Sequence, residues 1–187
     1  MSRIPTHTLE DAPEASRAVL QKIAQASPSG RPLNLHAQMA HSPAVLAAYA
    51  SLRGVIAEHG ALEPKVSWAL NLATAVAVGN DYMMGIASRF ARMNGWSDEQ
   101  IAALRKGTTT GDIKIDALTR VVSEATAQSG NVTDATWKAA QEAGWGDAEL
   151  AEAFAHLGLT MFTGYFLNYA QTASDADVLA HGVTSSS

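Results

Sequence analysis

The side chains that could do chemistry in this sequence are few. The chain has 187 residues, six histidines and no cysteine. The absence of cysteine excludes disulfides, thiolate metal sites and every mechanism that needs a cysteine nucleophile. His36 and His41 are five residues apart, whereas two histidines that bind one metal from a single helix face are four apart. The sequence therefore predicts neither a metal site nor a bound cofactor.

Proton transfer is the chemistry for which the sequence does supply groups. Asp81 and Tyr82 begin a predicted helix, and His36 lies in a short helical segment upstream. These three residues are the candidates for a catalytic acid or base. For Asp81 there is a structural alternative, because a carboxylate in the first turn of a helix is stabilised by the helix dipole.

A polar stripe is predicted on the last long helix. His156, Thr160 and Thr163 follow one another at i, i+4 and i+7, which places them on one face. The stripe is interpreted either as one wall of a polar pocket or as a buried histidine with a backbone or hydroxyl partner. Tyr165, Asn168 and Tyr169 continue this helix with groups that need hydrogen-bond partners if they are buried, and an oligomer interface would also explain them.

The elements that must position these groups are predicted to be helices throughout. Glycine and proline separate segments rich in Ala, Leu, Glu, Gln, Lys and Arg, and strand patterns are nearly absent. Pro64 opens a very apolar helix that carries no charge after Lys65, so this helix is expected to be buried on most sides. Gly79 ends it, and Asn80 caps the next helix.

One internal repeat is visible in the sequence. Gly95-Trp-Ser-Asp-Glu-Gln-Ile-Ala102 aligns with Gly144-Trp-Gly-Asp-Ala-Glu-Leu-Ala151 at an offset of 49 residues (144 − 95). In both copies a glycine ends one helix, a tryptophan packs back over the turn, and an aspartate begins the next helix. The sequence therefore predicts a duplicated helix, Gly-Trp turn, helix unit in an all-α fold.

Length and charge set the organisation and the class of partner. We expect a single domain over residues 1–187, with an N-terminal arm over about 1–32 and a disordered tail over about 176–187. The formal charge is −5 and no basic cluster occurs, so neither nucleic acid nor a membrane is an expected partner. The amino terminus lacks the apolar core of a signal peptide, which predicts a cytoplasmic protein.

Three stretches carry a resemblance to a known family. They are Leu62-Glu-Pro-Lys-Val-Ser-Trp-Ala-Leu-Asn-Leu-Ala73, then Gly79-Asn-Asp-Tyr-Met83, then Gly95-Trp-Ser-Asp-Glu-Gln-Ile-Ala-Ala-Leu104. In this order and spacing they resemble the alkylhydroperoxidase D-like superfamily, also called the carboxymuconolactone decarboxylase family. Ala40-His-Ser-Pro43 and Asn168 fit its peroxidase-related branch. The resemblance implies an AhpD-like helical domain that assembles as a dimer, trimer or hexamer.

The resemblance also shows what this chain lacks. In the family a glutamate on the central helix, a Cys-x-x-Cys and a histidine form a redox site. At the matching positions this chain has Trp68, Asn80, Met83 and Ala87. Thiol peroxidase activity is therefore excluded, since no residue can supply a thiolate.

The remaining expectation is a changed ligand site. It is bounded by residues of the central helix and the start of the next one: Trp68, Asn71, Asn80, Tyr82, Met83 and Ala87. Indole, thioether and methyl groups favour an apolar or aromatic ligand. The sequence favours a small-molecule-binding protein or pseudoenzyme that forms a homo-oligomer. Two alternatives stay open: a cofactor-independent lyase, isomerase or hydrolase acting on a small organic metabolite, and an interaction protein in which Trp68 fills the old site.

Overall fold

The computed structural model describes residues 2–27 and 29–175, and the tail predicted over 176–187 lies outside them. Within the described residues the chain forms nine helices and no strand, which confirms the predicted all-α class. The helices are α1 (Glu14–Gln25), α2 (Asn34–Met39), α3 (Pro43–His59), α4 (Pro64–Val78), α5 (Asp81–Met93), α6 (Asp98–Lys106), α7 (Ile113–Ala127), α8 (Asp134–Glu142) and α9 (Asp147–Ala170). None of these helices is long and apolar enough to cross a membrane.

The chain divides into two compact units. Among the described residues, one unit comprises those up to Gly54 together with those from Phe166 to Asp175, and the other comprises Val55–Tyr165. In the first unit, hydrogen bonds hold the part of the predicted N-terminal arm that precedes α1. The Arg3 amide donates to the Ala170 carbonyl at 2.8 Å, and the Gln38 side-chain amide donates to the Ile4 carbonyl at 2.6 Å. The arm is thus part of this unit's structure.

The second unit is built around α4. Proline occupies the first turn of this helix, and Gly79 ends it with a left-handed φ of 71° that side chains other than glycine rarely adopt. The residues from Ala69 to Ala75 are buried against α5, α6 and α7. Ala77 is exposed, so the predicted burial holds for the middle of α4 and not for its last turn.

Side-chain caps fix the starts of several helices, among them the predicted cap Asn80. The Asn80 side chain accepts the Met83 amide, and the Thr133 side chain accepts the Thr136 amide. Ser97 and Gln100 form a reciprocal capping box at the start of α6. These local bonds fix where each chain segment turns, and they therefore fix which side chains each helix brings to the core.

The predicted repeat is present, and it is longer than the Gly-Trp turn. Helices α4 and α7 begin 49 residues apart, as do α6 and α9, so each copy contains three helices. In each copy the tryptophan indole donates to a carbonyl in the first turn of that copy's first helix. Trp96 donates to Lys65 at 2.8 Å, and Trp145 donates to Lys114 at 2.7 Å. In each copy, the lysine whose carbonyl accepts this bond also places its ammonium group over the tryptophan ring.

Candidate functional site

The start of α5 supplies one side of the predicted site. Asn80 Oδ1 accepts the Met83 amide at 2.8 Å, and both side chains are buried. This bond satisfies one of the amide groups that a helix N-terminus leaves unpaired. Tyr82 is also buried, whereas Asp81 is exposed on the opposite side of this turn. Asp81 is therefore at the surface and not among the buried residues of the predicted site.

Trp68 brings α4 against the middle of α5. Its ring stacks on Phe90 with centroids 4.4 Å apart and planes inclined by 11°. Ala87, one turn before Phe90, is completely buried. The family resemblance places a histidine at position 87, where this chain has a buried methyl group. Phe90 is a residue of this site that the sequence analysis did not identify.

Helix α9 forms a third wall. The Thr160 hydroxyl donates to Asn71 Oδ1 at 3.1 Å, and both side chains are buried. One turn later, a Cβ added at Gly164 would lie 3.0 Å from Val78 Cγ1 and 4.0 Å from Met83 Cγ. Glycine therefore allows α9 to approach α4 closely at this point, while Met83 of α5 lies at an ordinary contact distance. Among the predicted ligand residues, Asn71 and Met83 lie beside α9.

The polar stripe of α9 contains a contact between a carboxylate and an imidazole that the sequence analysis did not predict. Glu152 Oε1 lies 3.5 Å from His156 Nε2, and both side chains are largely buried. Burial lowers the pKa of His156 below its ordinary value, and the nearby Glu152 carboxylate opposes only part of that shift. The imidazole is therefore neutral near pH 7. Thr163 takes no part in this pair, since its hydroxyl donates to the Leu159 carbonyl of its own helix.

His36 belongs to the other compact unit. Its Nε2 lies 3.1 Å from the Tyr49 hydroxyl, which also accepts the Arg53 guanidinium at 3.4 Å. Burial, and then the positive charge of Arg53, lowers the pKa of His36 to about 3. His41 bonds instead to His7 and to the Pro5 carbonyl. His36 and His41 thus have separate partners within their unit and share no metal position.

A small cleft lies on a different face of α4. Its volume is about 120 Å³, and it is lined by Ala73, Leu104, Gly107, Thr108, Thr109, Asp116, Thr119, Arg120 and Ser123. Partial burial acts to raise the pKa of Asp116, but hydrogen bonds from Thr109 and Thr110 hold that pKa below its usual value. The carboxylate thereby fixes the loop between α6 and α7. No group of three or more His, Asp or Glu side chains suited to a metal occurs in the described part of the chain.

The arrangement of the helices defines the structural class. The arrangement of helices is that of the alkylhydroperoxidase D-like proteins. A peroxidase-related protein from Ralstonia eutropha JMP134 with an AhpD core is 16% identical, with a TM-score of 0.82 over 99% of this chain and 98% of that one. A peroxidase-related protein from Silicibacter sp. TM1040 is 14% identical, with a TM-score of 0.76 over 97% and 98%.

Within that class, residues 43–124 match the model of the carboxymuconolactone decarboxylase family, which confirms the predicted resemblance. The debrominase Bmp8 also has this fold, with 14% identity and a TM-score of 0.78 over 95% of this chain and 94% of that one. No curated protein matches the sequence. In this chain the positions that the resemblance assigns to a Glu, Cys-x-x-Cys and His site hold Trp68, Asn80, Met83 and Ala87.

Proposed function

We propose that this protein binds a small organic molecule without redox chemistry, at the junction of α4, α5 and α9. The observation that carries the proposal is the composition of the junction. Trp68, Met83 and Ala87 provide apolar surface, while Asn71 supplies a fixed polar group through its bond to Thr160. Because the chain has no cysteine, the site has no thiolate with which to attack a peroxide.

The chemistry of these walls favours an aromatic ligand. Trp68 and Phe90 present two parallel aromatic rings, and a ligand ring placed against either of them would add a further stacking contact. A variant of the debrominase Bmp8 with the same fold is known in complex with 2,3,4-tribromopyrrole. That compound, a single ring with large apolar substituents, is therefore a suitable first probe for this chain.

A second candidate function is supported by Glu152 and His156. A neutral imidazole beside a carboxylate is the arrangement of a general base, so the protein would act as a cofactor-independent lyase, isomerase or hydrolase on a small metabolite. This pair lies in the same unit as Trp68 and Asn71, whereas His36 does not. His156 thus replaces Asp81, Tyr82 and His36 as the leading candidate for proton transfer.

We also propose a homo-oligomer in which a second copy covers the outer face of α9. Phe154, Phe162 and Tyr165 are 67%, 36% and 54% exposed. At 100° per residue these three side chains fall within an arc of about 80°, with Gly158 between them. A continuous aromatic stripe of this kind is typical of a subunit interface. A cytoplasmic location stays a prediction.

Isothermal titration calorimetry with 2,3,4-tribromopyrrole tests the ligand site. Two variants change its walls: Ala87→Trp fills space beside Met83, and Trp68→Leu removes the stacking surface. We expect each to weaken binding at least tenfold, about 1.4 kcal/mol. Trp137→Leu, at a partly exposed tryptophan on α8, is the matched control and should bind like the wild type.

Circular dichroism establishes which variants fold. If Ala87→Trp does not fold, the binding measurement on Trp68→Leu decides the test. Unchanged affinity in a folded Trp68→Leu protein would mean that the ligand binds elsewhere. Absence of binding by the wild-type protein would overturn the proposal of an aromatic ligand.

A further inference from the structure

The inner face of α9 carries a row of buried polar groups that structural packing alone does not explain. Glu152, His156 and Thr160 follow at i, i+4 and i+8 and lie opposite the exposed aromatic stripe. His156 is 5% exposed and Thr160 is 2% exposed. Buried polar groups are costly unless they are paired, so their partners indicate what the row is for.

Glu152 is paired with backbone of the loop before α4. Its carboxylate accepts the Ala61 amide at 2.8 Å and the Leu62 amide at 3.0 Å. A Cβ at Gly60 would lie 2.7 Å from Glu152 Oε1, so glycine is what lets the loop come this close. The carboxylate is consequently held in one position, with Oε1 facing the imidazole of the next turn.

The imidazole of His156, in contrast to the Glu152 carboxylate, has no hydrogen bond to the described residues. Its Nε2 lies near Glu152 Oε1, but neither ring nitrogen has a hydrogen-bond partner among the described residues. Leaving a buried polar atom unpaired costs about 1–3 kcal/mol. The neutral ring carries one N–H, and the carboxylate favours that proton on Nε2, which leaves the Nδ1 lone pair as a buried acceptor.

The position of His156 relates this acceptor to the proposed ligand site. One turn earlier, Glu152 bonds to the loop that leads into α4. One turn later, Thr160 bonds to Asn71 in the middle of α4. His156 therefore lies along the first half of α4, the part that contains Trp68.

We infer that His156 Nδ1 accepts a hydrogen bond from the N–H or O–H group of an aromatic ligand, and that Glu152 positions the imidazole for this contact. The inference rests on the proposed ligand site and adds the class of ligand: a phenol or an azole with a free N–H, as opposed to a ring without a donor. One donor on an otherwise apolar ring matches one unpaired acceptor beside apolar walls.

Two probes that differ in a single donor test the inference. The first is 4-nitrophenol, used below its own pKa so that it is neutral, and the second is its methyl ether, 4-nitroanisole. Equilibrium dialysis read by absorbance gives the dissociation constant of each. We expect the wild-type protein to bind the phenol about tenfold more tightly than the ether, because only the phenol satisfies the buried acceptor.

The variants assign that preference to residues. In His156→Leu the ratio of the two dissociation constants should fall to about one, with binding of the ether retained. Glu152→Gln should lower the ratio as well, since the ring then loses its fixed orientation; a merely structural role for Glu152 would weaken both probes equally. Thr163→Val, on the same face but bonded within its own helix, should keep the wild-type ratio.

Each result decides between the two proposals. Equal binding of phenol and ether by the wild type, or a preference that survives in His156→Leu, overturns the role of His156 and leaves the ligand site standing. Failure of the wild type to bind either probe overturns both. Binding of the ether by folded His156→Leu with loss of the preference supports both.

Discussion

The two tryptophans of the repeat are expected to stabilise the protein through the same contacts. Each indole is nearly buried, with Trp96 2% exposed and Trp145 6% exposed, and each donates to a carbonyl 31 residues earlier. Phenylalanine at either position keeps a six-membered aromatic ring but lacks the second ring of the indole and its N–H donor. The substitution therefore removes the hydrogen bond that anchors each Gly-Trp turn to the first helix of its copy.

The magnitude follows from the contacts that are lost. The hydrogen bond contributes about 1 kcal/mol. The missing part of the indole and the weaker cation–π contact add about 1–2 kcal/mol. We therefore expect Trp96→Phe and Trp145→Phe each to lower the free energy of unfolding by about 2–3 kcal/mol. Lys114 lies 4.3 Å from its ring and Lys65 lies 5.1 Å from its own, so the loss at Trp145 should be slightly larger.

Urea unfolding followed by far-UV circular dichroism measures these losses, at a fixed protein concentration because oligomerisation would shift the midpoint. Trp137→Phe is the control, since that ring is 39% exposed and its substitution should change stability by less than about 0.5 kcal/mol. A loss at one anchor with none at the other would refute the equivalence of the two copies. A loss under about 0.5 kcal/mol at both would refute the anchoring role itself.

Three further outcomes are expected. The pKa of His36 is about 3 in the folded protein and 6.5 ordinarily, so the unfolded chain takes up this proton first as the pH falls. The free energy of unfolding should therefore drop by about 1.6 kcal/mol between pH 6.5 and 5. Urea unfolding of His36→Gln should show a shallower dependence on pH. Sedimentation should give at least twice the 19.6 kDa chain mass, and a double variant Phe162→Glu, Tyr165→Glu should sediment as a monomer; a concentration-independent wild-type monomer would contradict the interface. Metal-free protein should not reduce an organic hydroperoxide with a dithiol as reductant, and measured turnover would contradict the proposed absence of redox activity.

Local signals predicted most of the fold. Pro43, Pro64, Asn80, Ser97 and Thr133 mark helix starts in the sequence, and α3, α4, α5, α6 and α8 begin beside them in the structure. Asn80, Ser97 and Thr133 accept hydrogen bonds from amides three positions away, and proline suits the first turn of a helix because it has no N–H group to leave unpaired there. Each helix start is therefore specified by a few consecutive residues. Helix α9 ends at Ala170, where the sequence has no strong stop signal.

The site was less predictable because its contacts are distant in sequence. Thr160 and Asn71 are 89 residues apart, and nothing in either segment specifies the other. The Glu152–His156 spacing of four was visible, but the amides that hold Glu152 lie about 90 residues upstream. The lysine partners of the tryptophans could have been predicted from the sequence, because Lys65 and Lys114 are 49 residues apart (114 − 65), which is the offset of the repeat.

The repeat has an asymmetry with consequences for how a binding wall can arise. Subtracting the offset of 49 from 156 gives position 107, where α6 ends at Gly107 with a left-handed φ of 66°. Its counterpart α9 continues past this point to Ala170. Every α9 residue assigned here to the site beyond Glu152 thus lies in an extension without an equivalent in the first copy. In one copy the helix ends at a glycine, whereas the equivalent helix of the other copy continues through a histidine. The longer helix can therefore gain a binding surface without any change in the Trp96 and Trp145 contacts that the two copies share.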